Sequence, residues 1–354
     1  MGEESAAEYV VIHEFLRGTY ESLTLGEAFR RGLIDELLEA PMPVDGPDHL
    51  LRFFVSVLEA NGVVDERDGA FVLSDRFREA LAFRDLMEAQ IKYSSMLMRD
   101  LSFDTSAVFA LGEVRRHPIY DLLGEPTDEA PIGDEYLRLY QFDLNDSDNP
   151  FDQAATEDWV AYMNMLSRYE APVVCDRYDF ARHRRMLDIG GNTGEFARTV
   201  CERFPELSAT VFDLPGVVAI GQRVQAGRPG FERVEYFGGD AFADTPPSRY
   251  DLVTFKSTLH DWPDDKAAAL LDTAWSALEP GGTLLIFERS SVDLRDYQPA
   301  VPFSLLTLLG WAWTLRGPGR YESVLRDLGA EDLRLEELHL DLPWMILTAT
   351  KPSA

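Results

Sequence analysis

Short apolar runs that end at a glycine or an acidic residue recur through the second half of the chain. They include MLDI before Gly190, SATVFD ending at Asp213, YDLVTFK ending at Lys256, and TLLIFE ending at Glu288. Runs of about four to eight apolar residues bounded by such signals are typical of buried strands. The segments between them are long enough for helices, so this half of the chain is predicted to be an α/β domain.

The first third of the chain has a helical pattern followed by a hairpin. GVVDERDGAFVLS alternates in the way strands do, with Asp68 and Gly69 as its turn. The segment before it carries an apolar stripe at helical spacing. The residues of this stripe are Leu50, Leu51, Phe54, Val57 and Leu58.

The glycine-rich stretch after the first predicted strand is the strongest chemical signal in the sequence. Gly190, Gly191 and Gly194 let a ligand approach the backbone, and the helix predicted from Glu195 presents free N–H groups to the same ligand. Asp213 ends the next strand, where a carboxylate can bind both hydroxyls of a ribose. The combination predicts a nucleoside-binding site.

The acid before the glycines indicates which nucleoside. Asp188 precedes the turn, and an anionic side chain there repels a pyrophosphate but suits the sulfonium and amino groups of S-adenosylmethionine. Asp240 and Phe242 follow a further strand-like run, where an acid can accept the adenine amino group and an aromatic ring can cover the base.

Five motifs in this order resemble those of the class I S-adenosylmethionine-dependent methyltransferases, and in particular the O-methyltransferases of plant phenolics and bacterial polyketides. The motifs are DIGGNTG, FDLPG, GGDAF, LHDWPDD and LEPGGTLLIFE. The connector YEAPVVCDRYDF is similar to that of the anthracycline-tailoring branch. The resemblance implies a Rossmann-like seven-stranded methyltransferase domain at 181–354, a winged-helix dimerisation domain at 1–100, and a helical linker and pocket lid at 101–180.

The resemblance also implies site residues. Leu214, Ala241 and Lys256 are expected to join the acids and glycines around the cofactor. Met163 is expected to contact the acceptor. The other acceptor-binding candidates are aromatic, namely Trp159, Phe303 and Trp311.

His260 is the expected general base, because it follows a predicted strand and occupies the position of the base in the resembling family. A neutral imidazole can take a phenolic proton near neutral pH. The family's acid-Arg-Thr run is replaced here by Leu315, Arg316 and Gly317, so the usual second acid is missing. Asp261 and Glu288 are then the candidates to orient His260.

Three functions remain open at this point. Methyl transfer to a hydroxyl of a small aromatic or polyketide metabolite comes first. Methylation of a carbon on a phenol-like ring comes second, because deprotonating a phenol also activates its ortho carbon. The third is a different tailoring reaction that uses the same cofactor, as in some relatives of the anthracycline branch.

Composition narrows the range of partners. The 62 acidic residues against 33 basic ones give a net charge of −29, which disfavours nucleic acid and anionic membrane surfaces. No apolar run is long enough to span a membrane, and the first residues lack a signal-peptide pattern, so a cytoplasmic protein is expected. The resemblance implies that it is a homodimer. Cys175 and Cys201 are in no metal-binding motif, and no metal is expected.

Overall fold

The structure is a computed structural model that describes residues 17–45, 49–100, 150–247, 249–291, 315–340 and 342–353. It divides the chain into two compact units, Met1–Arg99 and Asp100–Ala354. The predicted acceptor residues Phe303 and Trp311 lie outside the described residues.

The first unit consists of helices around a small antiparallel sheet with strand order β1-β3-β2. Its elements are α1 (Arg17–Arg30), α2 (Leu33–Glu39), β1 (Met42–Pro43), α3 (His49–Ala60), β2 (Val64–Arg67), β3 (Ala70–Leu73), α4 (Asp75–Ala80) and α5 (Arg84–Asp100).

The predicted hairpin is confirmed. Asp68 and Gly69 connect β2 to β3 with φ values of 54° and 78°, a left-handed pair that gives a hairpin the twist its strands require. Ser74 then begins α4 by accepting a hydrogen bond from the Phe77 N–H at 3.2 Å, and its hydroxyl donates to the Gly62 carbonyl at 2.7 Å. The wing is thereby fixed to the helix that follows it.

The stripe predicted before the hairpin lies on α3, and the side chains of this helix differ in burial. Val55 and Leu58 are fully buried, whereas Leu50 is 68% exposed and the neighbouring Phe53 is 70% exposed. Leu51, Val55 and Leu58 share one helical face, and Leu50 is rotated from Leu51 by the angle of about 100° that separates successive residues. The helix therefore has more apolar side chains than the core of this unit covers.

The second unit is a seven-stranded sheet with helices, in the order β6-β5-β4-β7-β8-β10-β9. Its elements are α6 (Pro150–Arg177), β4 (Arg185–Ile189), α7 (Glu195–Arg203), β5 (Ser208–Asp213), α8 (Pro215–Gln225), β6 (Val234–Gly238), β7 (Tyr250–Lys256), α9 (Asp264–Ala277), β8 (Leu278–Arg289), α10 (Pro318–Asp327), β9 (Glu331–His339) and β10 (Pro343–Thr350).

Strands β4 to β8 are parallel, and β10 pairs antiparallel with both β8 and β9. Leu187, Val253 and Ile286 in the central strands are at most 1% exposed, as expected when a parallel sheet is covered on both faces. The Rossmann-like prediction is confirmed. Because the chain continues from β4 to β5 on one side and returns to β7 on the other, the carboxyl ends of β4 and β7 border a topological switch point, where such folds bind ligands.

Strand β8 begins at Leu278 and includes the Pro-Gly-Gly residues of the motif LEPGGTLLIFE. A register shift opposite Tyr250 and Leu252, together with the left-handed Gly281 at φ 79°, accommodates those residues within the strand.

Both cysteines are buried free thiols, and burial raises the pKa of each to about 12. Within the described part of the chain, no cluster of acidic, histidine or cysteine side chains is arranged to hold a metal ion. None of the helices described above has the length and apolarity needed to cross a membrane.

Candidate cofactor and catalytic site

The glycine loop after β4 requires glycine at two positions. Gly190 has a φ of 66°, and a Cβ there would lie 2.4 Å from Cγ2 of Thr258. Gly194 has a φ of 80° and occupies the N-cap of α7, where a Cβ would lie 2.8 Å from the Tyr236 hydroxyl. A side chain at Gly190 would clash with the segment after β7, and a side chain at Gly194 would clash with β6.

Asp213 is positioned by the same loop. One of its carboxylate oxygens accepts the Asn192 N–H at 2.7 Å, and the other accepts the Leu214 N–H at 2.8 Å. Burial raises the pKa of Asp213 to about 6, while the two backbone hydrogen bonds oppose this rise. Each oxygen keeps a second lone pair, so the carboxylate can still accept two hydroxyl hydrogens.

Asp188 lies beneath the loop and is only 1% exposed. Its Oδ1 accepts a hydrogen bond from the Thr254 hydroxyl at 2.7 Å, whereas Oδ2 is buried and has no hydrogen-bond partner among the described residues. A Cβ on Gly191 would lie 2.6 Å from that oxygen. Burial raises the pKa of Asp188 to about 7, although Thr254 and Lys256 favour its charged form.

The turn after β6 contains Asp240, Ala241 and Phe242, all half-buried. Asp240 accepts the Phe242 N–H at 2.8 Å, which closes the turn. The Phe242 ring packs edge-on against Trp262 with a centroid distance of 4.6 Å, and the Lys266 ammonium lies 4.7 Å from the ring. The predicted adenine-side residues are therefore at the carboxyl edge of the sheet.

Lys256, a predicted cofactor residue, is engaged with the helix α6. Its ammonium donates to the Ser167 hydroxyl at 3.0 Å and forms an ion pair with Glu170. The lysine side chain is 7% exposed. The lysine ammonium therefore contacts polar side chains of α6.

His260 and Glu288 form a buried pair. The imidazole Nδ1 is 2.5 Å from Oε2 of Glu288, and Oε1 of the same carboxylate accepts the N–H groups of Thr258 at 2.6 Å and Leu259 at 2.7 Å. A proton held on Nδ1 by Glu288 leaves Nε2 as the basic atom. Nε2 lies 3.5 Å from a carboxylate oxygen of Asp261.

The charges of this pair support each other. Burial by itself lowers the pKa of His260, but the carboxylates of Glu288 and Asp261 outweigh it and raise that pKa above its usual value. Burial by itself raises the pKa of Glu288, but the imidazole and the two backbone N–H groups lower it on balance. The geometry stabilises an imidazolium that has just received a proton.

Arg316 is a residue of this site whose contacts the sequence did not reveal. Its guanidinium donates to the Leu259 carbonyl at 2.9 Å and to Asp264 at 2.6 Å, and it also bonds the Trp262 carbonyl. It therefore fixes the turn that carries His260. Leu315, in the place of the family's acid, is buried. The sequence signal for Arg316 was that it coincides with the arginine of the family's acid-Arg-Thr run.

Helix α6 reaches the glycine loop through Asn164. The Asn164 carbonyl oxygen accepts the Thr193 hydroxyl at 2.6 Å and the Gln225 amide at 2.9 Å. Met163 precedes Asn164 and is half-buried. Trp159 lies on the same helix, and its side chain is outside what the structure describes.

The fold and this edge of glycines, acids and a buried histidine define a Rossmann-like α/β domain, and comparisons with known proteins identify its family. The family profile of the O-methyltransferase domain matches residues 139–329, just over half of the chain. The chain belongs to that family.

Similar proteins include a 3-hydroxy-5-methyl-1-naphthoate 3-O-methyltransferase from Streptomyces sahachiroi, 35% identical over 44% of this chain and 46% of that protein. Aclacinomycin 10-hydroxylase RdmB from Streptomyces purpurascens is 33% identical over 40% of this chain and 38% of its own length. The solved structure of human N-acetylserotonin methyltransferase in complex with SAM has a TM-score of 0.71 at 20% identity, with full coverage of both chains. The chain spans between 31% and 48% of the length of the first curated relatives it matches.

A buried acid whose pKa is raised in the folded state makes folding dependent on pH. Between about pH 4 and about pH 7 the folded protein holds the Asp188 proton more tightly than the unfolded chain, so the free energy of unfolding falls as pH rises. Asp188→Asn has no ionisable group at this position, so its free energy of unfolding does not fall in this way as pH rises. We expect its stability relative to the parent to improve by about 1–3 kcal/mol across that range, as measured by urea unfolding at several pH values. A stability difference that stays constant with pH would contradict a charge-based cause.

Proposed function

We propose that the protein transfers a methyl group from S-adenosylmethionine to a hydroxyl of a small aromatic or polyketide metabolite. The observation that carries the proposal is the His260–Glu288 pair, which lies on the same sheet edge as the glycine loop and Asp213. A base and a nucleoside site at one edge are what methyl transfer to an acidic hydroxyl requires. Membership of the O-methyltransferase family supports it.

The residues present suit this cofactor. Asp213 has two acceptor positions left for the ribose. The Asp188 oxygen that has no hydrogen-bond partner in the described part of the chain can face positive charge. Asp240 and Phe242 would hold the adenine, with Leu214 and Ala241 beside them. The cofactor supplies a methyl group already activated by the sulfonium, so the protein has mainly to align the acceptor.

In this proposal His260 removes the acceptor proton at Nε2, and Glu288 stabilises the imidazolium that results. Asp261 adds negative charge near the same nitrogen. The two carboxylates make His260 a stronger base, and they also keep it protonated to higher pH. Activity should therefore rise with pH through a value above about 6.5, the ordinary histidine pKa.

The same base would also activate a phenol for methylation on carbon, and the hydroxylase among the relatives is a reason to test other chemistry. Mass spectrometry of products formed with a labelled cofactor methyl group separates the three reactions. Label on oxygen supports the proposal. Label on carbon, or no label in the product, overturns it in favour of one alternative.

We further propose the domain roles expected from the sequence, with residues 1–100 forming a dimerisation domain, 101–180 a linker and lid, and 181–354 the catalytic domain of a cytoplasmic homodimer. The support is that α3 exposes Phe53 and Leu50 although both are large and apolar.

The dimer can be tested on α3. Phe53→Asp should shift the protein towards monomer at micromolar concentration, because a charge on a buried apolar interface is costly. Sedimentation velocity measures the change. Val224→Asp, an exposed apolar position on α8, is the matched control and should leave the assembly intact. A parent protein that is monomeric would refute the proposal.

Removing the proposed base should affect turnover and not binding. His260→Ala is expected to lower turnover by roughly a hundredfold or more while the calorimetric affinity for the cofactor stays nearly constant. The loss should be largest at low pH, where the acceptor hydroxyl is least ionised.

The exposed His339 on β9 gives the control, since His339→Ala should retain parental kinetics. Equal turnover of His260→Ala and the parent from mildly acidic to mildly basic pH would show that alignment alone is sufficient, and would remove His260 as the base.

The ribose assignment depends on Asp213. Asp213→Ala should cost at least about 2 kcal/mol of cofactor affinity, because two charge-assisted hydrogen bonds to the hydroxyls are lost. Isothermal titration calorimetry measures this cost. Asp272→Ala on the exposed face of α9 is the control. An unchanged dissociation constant for Asp213→Ala would refute the assignment.

A further inference from the structure

Three buried charged side chains meet where α6 crosses the carboxyl ends of β7 and β8. Glu170 of α6 pairs with Lys256 through one oxygen and accepts a hydrogen bond from Arg289 at 2.8 Å through the other. The exposed fractions of the Glu170, Lys256 and Arg289 side chains are 10%, 7% and 6%. The Arg289 guanidinium also stacks on Trp344 at 4.3 Å. One carboxylate therefore serves two buried cations.

Each of the two cations acts on a different residue of the proposed site. Lys256 ends β7, which pairs directly with β4, and its charge favours the ionised form of Asp188. Arg289 directly follows Glu288 in β8, and its charge lowers the pKa of His260. The cluster thus acts electrostatically both on the acid beneath the glycine loop and on the histidine.

We propose that Glu170 is a positioning residue that holds Lys256 and Arg289 at the strand ends and limits the positive charge they direct at Asp188 and His260. The roles of Asp188 and His260 in this proposal rest on the proposed function. The contact is made across elements, since the acid comes from α6 and the cations come from the sheet. Burying Lys256 and Arg289 without a nearby acid would cost free energy. Their positive charge would then also shift the protonation of Asp188 and His260.

The direction of the effect on His260 follows from the groups that face it. Glu288 and Asp261 raise its pKa, and Arg289 lowers it. The Arg316 guanidinium is held on the carbonyls of the same turn and is not changed by the test. Replacing Glu170 by a neutral residue leaves Arg289 less compensated. His260 should then lose its proton at lower pH and become a weaker base.

The test follows the titration of His260 directly. Histidine-labelled protein is titrated by NMR, and the His260 signal is assigned by its absence in His260→Gln. Glu170→Gln should lower the midpoint of this titration by about half a pH unit or more, and Glu170→Asp should recover part of the shift. Glu157→Gln is the control on the same helix, because Glu157 pairs with Arg223 at 2.8 Å on the surface. Its titration should match that of the parent.

Lys256→Met provides the opposite change, because Glu170 is then left to neutralise Arg289 alone and the positive charge that lowers the pKa of His260 is reduced. The His260 midpoint should therefore move upward. This variant carries the test if Glu170→Gln does not fold. A folded Glu170→Gln with an unchanged or raised midpoint overturns the proposal, and so does Lys256→Met with an unchanged or lowered one.

The measurement needs no turnover. If the midpoints move as expected while His260→Ala remains active, the electrostatic role of Glu170 stands and the assignment of His260 as base fails. In an active enzyme, the acidic limb of the kcat/KM profile should move to lower pH in Glu170→Gln, with a lower plateau. A purely structural role would lower the rate without moving that limb.

Discussion

The site depends on acids buried at the end of strands that are covered on both faces. A carboxylate in such a place must be matched by hydrogen bonds or opposite charge, or its pKa rises until it is neutral. Glu288 is matched by two backbone N–H groups and an imidazole. Asp188 has the Thr254 hydroxyl on one oxygen and no hydrogen-bond partner on the other among the described residues. One acid is thus already satisfied, and the other is left able to bind a cation.

Glu288, whose hydrogen bonds are satisfied, makes the site rigid, whereas Asp188 and Asp213 keep the capacity to bind a ligand. Glu288 accepts the Leu259 N–H and Arg316 donates to the Leu259 carbonyl, so the turn that carries His260 has little freedom. Asp188 and Asp213 keep acceptor capacity and have raised pKa values because they are buried. Buried acids whose hydrogen bonds are incompletely satisfied reduce the stability of the free protein. A ligand that supplies positive charge to them stabilises the folded state.

Sequence patterns predicted what local rules determine. The strands, the glycine loop, the left-handed hairpin turn and Glu288 beside His260 all follow from periodicity, turn chemistry and the shared edge of parallel strands. Which apolar side chains of α3 are buried could not be predicted, because two overlapping helical faces are both apolar and only packing chooses between them. Arg316 and Glu170 were missed because each acts through partners that lie at least 50 positions away in sequence and belong to other elements. No local pattern encodes such contacts.

The missing acid at Leu315 changes how the histidine is supported. With a buried leucine there, the negative charge around His260 comes, among the described residues, from Glu288 on one ring nitrogen and from Asp261 near the other. Asp261 also raises the pKa of Asp213, so one carboxylate acts on both His260 and Asp213. The proposed base and the proposed ribose acid are therefore coupled electrostatically at the sheet edge. Helix α6, which carries Met163, contacts the same edge through Asn164 and Glu170, so a change in this helix can reach the charges around His260.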